Sequence, residues 1–151
     1  MSYTNHLGTV NDALNDLIKT EFASIPVKNE RKFKPDFRKG EFIRFWCVAQ
    51  SEPELNSDGE TREYTYDIDF YFNLSVLKRP KFEDLLAART EQLKQLLQEN
   101  VTYQPGGTYV WHNASIDLIE VEDFEDEEEE AYRNIVYVHC EFTLRRFNQW
   151  A

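Results

Sequence analysis

Residues 62–74 read REYTYDIDFYFNL and place Tyr64, Tyr66, Ile68, Phe70, Phe72 and Leu74 on one side of an extended chain, with Glu63, Thr65, Asp67, Asp69, Tyr71 and Asn73 on the other. Alternation of period two sustained over that length admits a half-buried strand and excludes a helix, whose apolar positions recur every three or four residues. Upstream, residues 42–50 (FIRFWCVAQ) are rich in aromatic and β-branched side chains, and an Asp58-Gly59 pair lies between the two runs. The pattern predicts an antiparallel hairpin with a long, polar, mobile tip over residues 51–60.

Helical periodicity flanks this hairpin. Val10, Ala13, Leu14, Leu17, Ile18 and Phe22 recur at spacings of three and four. With Thr9 as N-cap and Asp12 three residues on, they predict an amphipathic helix ending near Ser24. Pro80 suits the first turn of a second helix, in which Phe82, Leu85, Leu86, Leu93, Leu96 and Leu97 form the apolar stripe and Asn100 the stop. Pro105, Gly106 and Gly107 form a turn, and an extended stretch runs from Thr108 through Trp111 to Ile116, Leu118, Ile119 and Val121. Its inward register is left open by the pattern. In the last strand Val136, Val138, Cys140, Phe142 and Leu144 face inward, and Tyr137, His139, Glu141, Thr143 and Arg145 outward. The segment between Pro26 and Gly40 is read as an extended loop with at most a short strand around Val27. The expectation is one α+β domain over residues 1–151, with two helices packed on one face of an antiparallel sheet of four to five strands.

Charge is distributed unevenly. The formal net charge is -11, yet residues 120–130 hold nine acidic and no basic side chains, leaving -2 for the rest. The acidic loop, residues 122–134, carries Glu122, Asp123, Glu125, Asp126, Glu127, Glu128, Glu129 and Glu130. The opposite bias lies in a long loop over residues 28–39, where Lys28, Arg31, Lys32, Lys34, Arg38 and Lys39 face only Glu30 and Asp36. A sequence pI near 4.7 argues against adhesion to nucleic acid as the main activity, because such binding rests on neutralising phosphates. No apolar run approaches the length of a membrane helix and the N-terminal residues lack a signal-peptide pattern, so a soluble protein made in the cytosol is expected. Cys47 and Cys140 sit on apolar stretches and read as small buried hydrophobes in a reducing compartment.

Catalytic groups are sparse. His6, His112 and His139 stand in no motif and read as ordinary structural histidines, and no phosphate-cradling glycine pattern occurs. The acidic run lacks the glycine of a calcium loop. Neither enzymatic activity, a cofactor nor a metal site is expected. Arg44 reads as an edge arginine with a snorkelling stem, and Trp46, Trp111 and Trp150 as core or edge packing.

The order of helix, long loop, hairpin with extended tip, helix and two further strands resembles that of the tail terminator proteins of tailed bacteriophages. The resemblance runs through VNDALNDLIKTEF, FIRFWCV, REYTYDIDFYFNL, FEDLLAARTEQLKQLLQEN and NIVYVHCEFTLRRF, and it is one of pattern. It implies a structural virion protein of the tail or neck, made in the host cytoplasm. Such a protein forms a homo-oligomeric ring, a hexamer, that caps the tail tube, stops its growth and meets a neck or connector protein. Genomic DNA would pass through the ring without specific binding. On that reading the acidic residues named above line or approach the lumen and repel the phosphates, with six copies concentrating on the order of fifty charges before pKa shifts relieve some. The basic residues of 28–39 lie away from the lumen and, together with Arg145 and Arg146, meet a neighbouring subunit or partner. Three alternatives stand beside it: a different head-completion or connector protein, an acidic binding module that mimics DNA, and an acidic segment that is only a solvated hairpin tip.

Overall fold

The computed structural model describes residues 5–30, 40–51, 53–123 and 134–149. Helix α1 spans His6–Glu21, and its cap is Asn5, whose Oδ1 accepts from the Gly8 N–H at 2.9 Å. Thr9, the residue expected in that role, lies one turn inside and donates its hydroxyl back to the Asn5 carbonyl at 3.2 Å. Gly8 permits the tight cap: a Cβ there would meet Asn5 Nδ2 at 2.5 Å. The helix also stops short of Ser24. Phe22 closes it with an N–H bond to the Ile18 carbonyl and turns its ring onto Phe70, with centroids 5.3 Å apart.

Strand β1 (Val27–Asn29) follows, then β2 (Glu41–Gln50), β3 (Glu54–Leu55), β4 (Gly59–Asn73), helix α2 (Arg79–Glu99), β5 (Asn113–Asp123) and β6 (Ile135–Gln149). The sheet order is β1-β2-β4-β6-β5, with β3 added to β4. The hairpin of β2 and β4 and that of β5 and β6 form as the alternation requires, and they join along β4 and β6. Those two strands run antiparallel in unbroken register from Gly59↔Gln149 to Asn73↔Ile135. At the start of this ladder a side chain on Gly59 would meet the Asn148 carbonyl oxygen at 2.1 Å, so the close approach requires glycine.

The fold is α+β, with more strands than expected and a mixed sheet. β1 runs parallel to β2, pairing Val27 with Ile43, while the other pairs are antiparallel. The tip expected as a plain loop contains a smaller hairpin. β3 folds back on Glu60 and Thr61, and Asn56 Oδ1 accepts from the N–H groups of Asp58 and Gly59. Leu74 falls in a turn beyond the end of β4.

One apolar cluster unites both helices with one face of the sheet. It holds Val10, Leu14, Ile18 and Phe22 from α1 and its cap, Leu93, Leu96 and Leu97 from α2, Tyr64, Tyr66, Ile68, Phe70 and Phe72 from β4, and Val138, Cys140, Phe142 and Leu144 from β6. Cys140 is buried there; Cys47 is only half-buried, and both are free thiols. Asn100 ends α2 through its N–H and Nδ2, both donating to the Leu96 carbonyl. The Asn100 carbonyl accepts from Trp111 Nε1 at 2.7 Å, which holds the indole in the core against Tyr103. This anchor explains why β5 begins at Asn113 and not at Thr108: residues 108–112 are engaged with Tyr103 and with the Arg145 carbonyl. A bulge between Ile116 and Leu118 shifts the pleat, and Asp117, the extra residue, accepts from the Thr143 hydroxyl at 2.6 Å.

Candidate functional site

Two places on this scaffold carry charge in a way that packing alone does not require. The first is the end of the sheet where the acidic segment leaves it and the basic segment rejoins it. β5 finishes with Glu120, Val121, Glu122 and Asp123, of which the first three are exposed, and the Tyr137 hydroxyl donates to the Glu122 carboxylate. Burial, together with this bond, raises the Tyr137 pKa. The chain returns at Asn134, whose side chain donates to Ser75 Oγ at 2.8 Å and whose carbonyl accepts from the Leu74 N–H. Glu125, Asp126, Glu127, Glu128, Glu129 and Glu130 lie outside the described residues.

The chain that follows the basic segment rejoins the sheet at the same end. Lys28 is exposed on β1, whereas Arg31, Lys32, Lys34, Arg38 and Lys39 lie outside the described residues. The segment rejoins the described chain at Gly40, whose carbonyl accepts from the Asn73 N–H at 2.8 Å. Asn73 and Leu74 therefore anchor Gly40 and Asn134, the residues that follow the basic and the acidic block. The sequence shows two blocks far apart in the chain; the strand order brings the residues that follow them, Gly40 and Asn134, to the consecutive residues Asn73 and Leu74. Arg145 and Arg146 stand elsewhere and are engaged within the chain. Arg145 Nε bonds Glu63 at 2.7 Å, while Arg146 donates to the Val110 carbonyl and Asn148 Oδ1.

The second place is the sheet face opposite the helices. Polar residues were expected there, yet Asp69 is 2% exposed. Its carboxylate takes Arg44 Nη2 at 2.9 Å, the Tyr71 hydroxyl at 3.1 Å and His139 Nδ1 at 2.6 Å. Arg44, expected to snorkel at an edge, instead stacks over Trp46 at 4.2 Å while making this ion pair. Phe42, Tyr71 and Ile135 close one end of the face as a small second cluster. The other nitrogen of His139, Nε2, lies 3.1 Å from Glu141 Oε1 and 3.8 Å from Asp67 Oδ1.

Electrostatics follow from the geometry. Burial alone would depress the His139 pKa, but the hydrogen bonds to Asp69 and Glu141 outweigh it and the pKa is raised. Asp67 is raised, chiefly by burial. The partners of His139 named here are carboxylates, so the group can hold a proton or a cation, whereas activating a nucleophile requires a hydroxyl or thiol within reach. Cys140 is no such thiol: burial pushes it up to about 12. His112 is structural, accepting the Phe147 N–H on Nδ1 and stacking on Tyr109. Sequence reasoning missed the Asp67, Asp69, His139 and Glu141 block because each strand offers only two unremarkable polar positions. The β4 and β6 register, which opposes Asp67 to Glu141 and Asp69 to His139, assembles them.

No protein-family model and no curated protein matches this chain. Solved structures do. The chain is similar to a component of the virion of a native gene transfer agent particle, with a TM-score of 0.56 and 10% identity over 97% of this chain and 100% of that one. It is also similar to the sheath/tube terminator of an extracellular contractile injection system in its extended state, with a TM-score of 0.53 and 11% identity over 100% of this chain. The match spans 58% of that terminator's length. At these identities the likeness is one of fold, and it agrees with the fold implied by the resemblance to tail terminators.

Proposed function

We propose that the chain is a structural tail protein of the terminator type, assembling as a hexameric ring that caps a tail tube, ends its growth and presents a surface to the neck. The carrying observation is the fold, shared along the whole chain with a subunit described as a sheath/tube terminator. Ring closure suits the charge distribution: symmetry gathers one acidic segment per subunit around an axis without any subunit holding a large charged face. In the ring, Glu122, Asp123 and residues 125–130 fringe the channel. Their repulsion of phosphate denies DNA the counterion release that makes basic surfaces adhesive, so the duplex passes without sticking.

Both charge blocks rejoin the sheet at one end, through Gly40 and Asn134. Neighbouring copies then bring the basic segment of one toward the acidic segment of the next, and unlike charges steer that register. Arg145 and Arg146 already bond Glu63, Val110 and Asn148 within the chain, so the contacts to neighbours are assigned mainly to Lys28 and the residues that follow it. The test is an assembly assay in which the purified protein is added to polymerising tail tubes and their lengths are measured by electron microscopy. Tubes of arrested length bearing a terminal ring support the proposal. Tubes that elongate unchanged, or a stable monomer that binds a basic protein one to one, favour the DNA-mimic alternative.

A further inference from the structure

We propose that His139, Asp67 and Glu141 form a binding site for a divalent first-row transition ion of the zinc class. The three ligand atoms lie within 4.8 Å of one another on the open face of the sheet. Asp67 and Glu141 are directly opposed across β4 and β6, an arrangement in which like charges destabilise the pair unless something positive stands between them. His139 supplies the third donor with its ring already oriented. An ionised carboxylate can only accept, so the 2.6 Å contact from Nδ1 to Asp69 Oδ1 places the proton on Nδ1. Nε2 faces the two carboxylates and hydrogen-bonds Glu141 through a proton of its own, which a bound ion would displace. A carboxylate behind a histidine in this way is the usual support of a metal-bound imidazole.

The spacing fits. An ion bound at about 2.0–2.2 Å to nitrogen and oxygen in tetrahedral geometry sets its ligands about 3.3–3.6 Å apart. The distances from Nε2 to Glu141 (3.1 Å) and to Asp67 (3.8 Å) bracket that range. Charge fits as well: Arg44 offsets Asp69, so the ion meets two carboxylates and a neutral imidazole, a balance for a dication. One imidazole with two carboxylates suits zinc, cobalt or manganese better than calcium or magnesium, which take oxygen ligands in larger number or keep their water. A hollow of about 270 Å³ lined by Trp46, Cys47, Val48 and Asp67 adjoins the group and leaves room for a fourth ligand such as water.

The test uses the full chain stripped with chelator and titrated with Co²⁺ in visible absorption and with Zn²⁺ by calorimetry. One equivalent of Co²⁺ should give d–d bands without thiolate charge transfer and be displaced by Zn²⁺. Glu141→Gln and Asp67→Asn, close in shape to the residues they replace, should each weaken binding by at least about 100-fold, and Asp69→Asn by about 10- to 100-fold, with thermal transitions confirming that the variants fold. A variant with residues 125–130 converted to the matching amides should bind as the wild type does. The proposal is overturned if the wild type binds no zinc, with Nε2 then holding only a proton. It is equally overturned if the folded Asp67→Asn/Glu141→Gln double variant binds as tightly as the wild type, or if binding vanishes with the amide loop.

Discussion

The two faces of the β4 and β6 ladder are built from the same thirty residues and do opposite things. Toward the helices stand Tyr64, Tyr66, Ile68, Phe70 and Phe72 with Val138, Cys140, Phe142 and Leu144, an apolar surface that can lower its free energy only by being covered. Away from them stand Asp67, Asp69, His139 and Glu141, where Asp69 takes Arg44, Tyr71 and His139, and His139 in turn reaches Glu141. Any sequence that repeats the apolar period can form the first face. The second depends on which polar residue lies opposite which, so a slip of register would dissolve it. The apolar side specifies the scaffold, and the polar side is where a specific chemistry can reside without disturbing the core.

This contrast can be broken from either side. The largest effect is expected from Phe70→Ala, which removes a fully buried ring and its edge contact with Phe22: a loss of about 3–5 kcal/mol in chemical denaturation, with the fold lost outright if the protein's reserve is small. Next, Asp69→Ala leaves Arg44 and His139 facing each other without their shared carboxylate and should cost about 3 kcal/mol or more, since removing one partner of a buried pair strands the other. Equal tolerance of Asp69→Ala and of an exposed-site control would show that the polar face contributes nothing to specifying the fold. Asn5→Ala, which removes the α1 cap, should cost about 1 kcal/mol in the same assay.

The smallest expected effect concerns pH. Burial, reinforced by Arg146, lowers the His112 pKa, and Nδ1 accepts the Phe147 N–H only while the ring is neutral. A histidine favoured neutral in the folded state contributes stability that is full above the ordinary histidine range and is lost as pH falls through the lowered value. Ring resonances of His112 should therefore titrate below about 6.5, and a midpoint above it contradicts the assignment.

What was legible in the chain follows the same division. Alternation from Tyr64 to Phe72 required a central strand, and the Leu93, Leu96 and Leu97 spacing required a helix upon it, because burial enforces a period. Several features rest on single contacts that leave no period. Thr9 and Asn5 are both competent caps, and only the close fit of Gly8 against Asn5 selects between them. The bulge at Asp117 re-aims β5 in answer to Thr143, a residue 26 positions away. Val27 is hydrophobic enough for a strand, but nothing local decides that it runs parallel to Ile43. Asp69 sat correctly on the polar face; its burial came from Arg44, Tyr71 and His139 meeting over it, which required the register. The likeness to terminators was legible in element order, whereas the anchoring of Gly40 and Asn134 at Asn73 and Leu74 was not.

The central claim is that identical copies close around an axis with the acidic ends of their sheets directed inward, and a reconstruction of the assembled tail end tests it most directly. The expected result is a closed ring in which Glu122 and the acidic residues that follow it face the channel, with Lys28 and the basic segment against the adjoining subunit. A ring in which that end of the sheet points outward into solvent, or density for this chain away from the tail, would contradict it.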